Sequence, residues 1–198
     1  MLVFWKEKLV ILAVPKTGTT ALAEALAPQA DIVINDPPEL KHAPVFRYNR
    51  FFRPMFEKAC GVEHMDLMAI MREPVGWLGS WFRYRQRDFM KGKPNSTHDV
   101  SFDEFVLEYC KEDRRSFANV GSQAKFLEPR PNGTKVTHLF RYEDQPASLA
   151  FLADRLNVEL ELPQRNVSPK MDLELSPDVL EHLKESRSEE FDLYNSIR

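Results

Sequence analysis

Cysteine is nearly absent: Cys60 and Cys110 are the only two in 198 residues. Two thiols without metal-ligand spacing make neither a disulfide framework nor a zinc site, and they fit a reducing compartment. No apolar run is long enough to cross a bilayer. The opening MLVFWKEKLV is broken by Lys6, Glu7 and Lys8 and lacks a signal-peptide pattern. The expectation is a cytoplasmic chain without a membrane anchor. An excess of positive charge is missing too: the formal net charge is −3, which argues against a nucleic-acid partner. With no internal repeat, low-complexity tract or linker, residues 1–198 read as a single domain.

What is present is a run of alternating strand and helix signals. Leu9 to Val14 is a continuous aliphatic stretch of the kind buried on both faces of a parallel sheet, and Pro15 ends it. Ala21 to Leu26 continues as a helix. DIVI (Asp31 to Ile34) and DLMAIM (Asp66 to Met71) are further strand candidates, the second stopping at Arg72. Pro74 suits the first turn of a helix through Trp77, Trp81 and Tyr84. Ser101 and Glu104 make a capping box for FDEFVLEYCKE. VGSQAKFL is a short helical segment and KVTHLF a strand. A helix follows from about Gln145 to Leu156, LPQRNVSP is extended, and a last helix covers roughly Pro177 to Tyr194. The pattern predicts an α/β domain with a mostly parallel central sheet flanked by helices.

Chemistry concentrates first in ILAVPKTGTTALAEAL, a strand, a polar turn and an apolar helix. Backbone N–H groups at a helix N-terminus bind anions with help from the helix dipole. Gly18 permits close approach, and the hydroxyls of Thr17, Thr19 and Thr20 add donors. A Walker A loop places its lysine after the glycine, whereas Lys16 precedes Gly18 and the first glycine is missing. P-loop nucleotidases also end the neighbouring strand in a magnesium-binding aspartate. Here that strand ends in Arg72. Both departures point to a ligand with two phosphates, bound without a metal.

PKTGTT resembles the 5′-phosphosulfate loop of sulfotransferases that use 3′-phosphoadenosine 5′-phosphosulfate (PAPS). REPVGWLGSWF resembles their 3′-phosphate motif, with Arg72 and Ser80 at the gripping positions. GSQAKFL, HLFRYED and NVSP extend the likeness over nearly the whole chain, closer to the carbohydrate sulfotransferases than to the cytosolic phenol and steroid enzymes. The resemblance implies a three-layer fold like that of P-loop NTPases, with PAPS as donor, 3′-phosphoadenosine 5′-phosphate (PAP) as product and no metal. The acceptor would be a small-molecule or saccharide hydroxyl. It also implies that Gln123 orients substrate near the nucleotide. The sequence departs from the family at Trp77, where an arginine is common; Arg83 and Arg85 are candidates to replace that charge.

Transfer to a hydroxyl needs a base. His42, in PPELKHAPV, is the first candidate and Glu39 its rival; His98 ranks lower, and His138 reads as structural. Arg47, Arg50 and Arg53, interleaved with Tyr48, Phe51, Phe52 and Phe56, form either an acceptor cleft or an apolar flap with basic rims. Two alternatives stand beside the sulfotransferase reading. One is an ATP-dependent small-molecule kinase on a P-loop fold; the other is a nucleotide-binding module without transfer activity.

Overall fold

The computed structural model describes residues 1–61, 64–160 and 173–197. The chain divides into two units, Met1–Arg72 with Gln123–Arg165 and Ile197–Arg198, and Glu73–Ser122 with Asn166–Ser196. LPQRNVSP, expected to be extended, lies outside the described residues.

The first unit holds a five-stranded sheet in the order β3-β1-β2-β4-β5. Its strands are β1 (Leu2–Phe4), β2 (Leu9–Ile11), β3 (Ile32–Val33), β4 (Asp66–Met71) and β5 (His138–Arg141). β2, β4 and β5 run parallel to one another, whereas β1 is antiparallel to both β2 and β3. The sheet is therefore mixed, which corrects the expectation of a mostly parallel one. A hairpin turn at Trp5–Lys8 returns the chain from β1 to β2 with Leu2 opposite Ile11, and Lys8 takes a positive φ of 50°. β2 is also shorter than its aliphatic run suggests, because the chain leaves the ladder after Leu12 to form the loop.

Leu2, Phe4, Leu9, Ile11, Met68 and Ile70 share one face of the sheet, as the two-residue period requires. Two helices cover that face: α1 (Thr19–Leu26), through Leu22 and Leu26, and one over Gln145–Leu156, through Leu149 and Leu152. Between β3 and β4 the chain forms α2 (Pro38–Lys41), α3 (Val45–Arg47), a π-helical stretch at Tyr48–Phe52 and α4 (Arg53–Cys60).

The second unit is helical. α5 (Pro74–Arg85) begins with Pro74 at its first position and is capped by the Glu73 carboxylate, which accepts from the Gly76 N–H at 2.6 Å. α6 (Phe102–Tyr109) carries the expected capping box between Ser101 and Glu104. α7 (Gln123–Leu127) returns to the sheet unit, as does α8 (Gln145–Leu156). The last helix is two, α9 (Pro177–Ser186) and α10 (Ser188–Asn195), broken at Arg187. The guanidinium of Arg187 instead donates to the carbonyls of Cys110 at 2.7 Å and Lys111 at 2.8 Å. Trp77, Phe82, Phe105 and Tyr109 form the aromatic centre of this unit. Trp77 meets Tyr109 edge-on at 6.2 Å, so Trp77 is core. Among the described residues no helix is long and apolar enough to cross a membrane.

Candidate functional site

β2 and β4 are hydrogen-bonded parallel neighbours, so the segments that leave their C-terminal ends emerge side by side. After β2 the Leu12 N–H still bonds the Met68 carbonyl at 2.9 Å, and the chain then turns away. Two residues of the turn lie in left-handed backbone space, Lys16 at φ 68° and Gly18 at φ 74°. For glycine this is ordinary, but for lysine it is a conformation that costs about 1–2 kcal/mol. The Thr17 hydroxyl donates to the Val14 carbonyl at 2.9 Å and closes the turn. That commits its proton internally, so the Thr17 hydroxyl is not the free donor the sequence suggested.

α1 begins at Thr19 with Gly18 as N-cap, no side chain capping it and no acidic residue in its first turn. Its leading N–H groups and the positive end of its dipole are consequently not offset from within the helix. Thr19 is buried and Thr20 exposed.

Arg72 stands at the end of β4. Gln123, buried at the start of α7, holds its main chain by both ends of one amide. The Arg72 N–H donates to Gln123 Oε1 at 3.0 Å, and Gln123 Nε2 donates to the Arg72 carbonyl at 2.9 Å. The guanidinium carbon lies 4.5 Å from the centroid of the Tyr142 ring. Its Nε is buried, with no hydrogen-bond acceptor among the described residues. Tyr142 follows β5 directly and is tied to β4 by its N–H, which donates to the Met71 carbonyl at 2.8 Å. A Cβ placed on Gly18 would come within 3.2 Å of the Tyr142 ring. One aromatic ring therefore touches the turn that carries Lys16 and also the cation at the next strand tip.

His42 ends α2. Its Nδ1 is 2.7 Å from the carbonyl of Ala13, in the segment that leads into the loop. A carbonyl can only accept, so Nδ1 carries the proton and Nε2 keeps its lone pair in the neutral ring. Burial pushes the His42 pKa below its usual value; the Ala13 hydrogen bond opposes this, and the charges of Lys41 and Lys16 add to the lowering. Glu39 is exposed on α2, and its backbone carbonyl accepts from Arg47 Nη1 at 2.5 Å.

The sheet unit thus brings Lys16, Thr17, Gly18, Thr19, Thr20, His42, Arg72 and Gln123 to one end of the parallel strands. Ser80 belongs to the helical unit, buried on α5. Arg85, a candidate for the missing cation, is buried and donates to the carbonyls of Ser116, Phe117 and Asn119 at 2.7–2.9 Å, which gives it a structural task. His98 is paired with Ser96 Oγ at 2.8 Å, and His138 packs on Phe151 with ring centroids 4.5 Å apart. Tyr142 is the site residue that sequence reasoning missed. Comparison with protein-family models and with curated proteins found no match for this chain.

Proposed function

We propose that the chain is a sulfotransferase that moves a sulfuryl group from PAPS to a hydroxyl of a small-molecule or saccharide acceptor, leaving PAP. The supporting observation is that the Tyr142 ring neighbours both Gly18, in the turn that carries Lys16, and the guanidinium of Arg72 at the next strand tip. Such an arrangement suits a ligand with an anionic group at each end. The buried Nε of Arg72, which has no acceptor among the described residues, is a donor of the kind a phosphate oxygen would satisfy.

In this reading the N–H groups of the turn and the first turn of α1 hold the 5′ end of the donor, and Arg72 holds the 3′-phosphate. The donor, when bound, supplies the sulfuryl group. Lys16 offsets the negative charge that grows on the departing phosphate oxygen. His42 takes the acceptor hydroxyl proton on Nε2, the nitrogen left bare by the Ala13 hydrogen bond, and its lowered pKa keeps it neutral at pH 7. Gln123 is a positioning residue that fixes the main chain of Arg72. Glu39 is the rival base, to be separated from His42 by replacing each alone.

Calorimetry with PAP against ADP, each with and without magnesium, tests the reading. Tighter, metal-independent binding of PAP is expected, along with transfer from PAPS that Lys16→Ala greatly depresses. Preference for ADP plus magnesium would replace the proposal with the kinase, and PAP binding without transfer to any hydroxyl would replace it with a nucleotide-binding module.

A further inference from the structure

The segment from Pro38 to Cys60, between β3 and β4, has an outer face that the proposed reaction does not use. Of the eight large apolar side chains exposed among the described residues, four lie in it: Leu40, Phe46, Phe51 and Met55. The segment is nevertheless firmly seated. Val45, Tyr48 and Phe56 are at most 2% exposed, and Tyr48 stacks on Phe52 with ring centroids 6.5 Å apart.

The π-helical stretch keeps the two sides apart. Its i→i+5 hydrogen bonding widens the turn, so Phe46 and Phe51, five residues apart, share the outer side, and Met55 follows one α-helical turn later. Four-residue steps through Tyr48, Phe52 and Phe56 run along the inner side, where Tyr48 also meets Phe56 at 6.2 Å.

The segment is also cationic. Residues 38–60 hold five lysines and arginines against two acids, Glu39 and Glu57, in a chain whose net charge is −3. Glu57 is taken up by Arg53 at 2.6 Å, whereas Lys41, Arg47, Arg50 and Lys58 enter no ion pair among the described residues. Two of these cations lie over the exposed rings themselves. The Arg47 guanidinium is 5.6 Å from the Phe46 centroid, and that of Arg50 is 5.4 Å from the Phe51 centroid. Apolar surface and positive charge therefore occupy one place. A second copy seated there about a two-fold axis would bring cations against cations. A closed protein interface would need a placed carboxylate for each buried cation. An anionic bilayer offers lipid phosphates to the guanidiniums wherever the rings insert.

We propose that this face docks on a membrane surface rich in anionic phospholipid, with Phe46, Phe51 and Met55 entering the headgroup boundary and Arg47, Arg50 and Lys58 at the lipid phosphates. Such peripheral docking needs no membrane-spanning helix, and it stands independently of the sulfotransferase reading. Cosedimentation of the full chain with vesicles of phosphatidylcholine alone, and of phosphatidylcholine mixed equally with phosphatidylserine, tests it. Binding is expected to the mixed vesicles alone and falls as salt is raised. Arg50→Gln should weaken it about fivefold and Phe51→Ser about tenfold. Both side chains are exposed, so both variants should fold and bind PAP as the parent does, which keeps this test apart from that of the transfer reaction. Lys91→Gln, an exposed cation in the helical unit, should leave vesicle binding unchanged. Absence of binding to the mixed vesicles, or equal binding by the parent and both variants, would overturn the proposal. A dimer in sedimentation velocity that Phe51→Ser dissolves, with no vesicle binding, would assign the face to a second copy instead.

Discussion

The guanidinium of Arg72 lies over the ring of Tyr142, 4.5 Å from its centroid, and a Cβ placed on Gly18 would come within 3.2 Å of the same ring. A cation over an aromatic face is held by the ring quadrupole, with a strength of about 0.5–2 kcal/mol. Tyr142→Phe keeps the ring, and Tyr142→Ala removes it. The alanine variant should bind PAP several-fold more weakly in calorimetry, with the phenylalanine variant close to the parent. Equal weakening in both would transfer the role from the ring to the hydroxyl.

Gln123 spends its amide on both polar groups of the Arg72 backbone. Gln123→Leu leaves the half-buried N–H and carbonyl of Arg72 without their partner, at about 1 kcal/mol or more each. Denaturant unfolding should show a loss of at least about 2 kcal/mol, and residual folded protein should bind PAP less tightly. A surface glutamine would show neither effect.

The strain at Lys16 separates stability from function. Its φ of 68° suits glycine, so Lys16→Gly should be about 1 kcal/mol more stable than Lys16→Ala by chemical denaturation. Both variants should lose transfer activity, because neither supplies the cation. A turn that costs stability where its side chain is needed is the pattern expected of a functional loop.

Much of this was legible in the sequence because local chemistry was strong. DLMAIM stops at Arg72 as β4 does, and Ser101 with Glu104 forms its capping box. β1 escaped because a three-residue strand before WKEK looks like an apolar start broken by charge, and its turn has no glycine or asparagine. The helical region between β3 and β4 escaped for another reason. Phe46, Phe51 and Met55, all exposed, step through the π-helical stretch at a spacing that a 3.6-residue period does not match. HLFRYED stood out in the sequence, but Tyr142 within it did not, because its contacts are with Gly18 and Arg72, residues distant in sequence that only the sheet brings to it.

His42 carries a pH signature whose sign follows from its environment. Burial lowers its pKa from the ordinary 6.5, so the unfolded chain binds a proton more readily than the folded one as pH falls below that value. Its contribution to stability is complete above about pH 6.5 and is lost on acidification through the lower, folded value. Denaturation midpoints measured from pH 7.5 to 4.5 should therefore decline, and His42→Asn should flatten the upper part of that decline. Activity should show the same group from the other side. The acid limb of kcat/KM should fall below pH 6.5 in the parent, and the limb should vanish together with transfer in His42→Asn while PAP binding is retained. Persistence of that limb in His42→Asn, with its loss in Glu39→Gln, would move the base to Glu39.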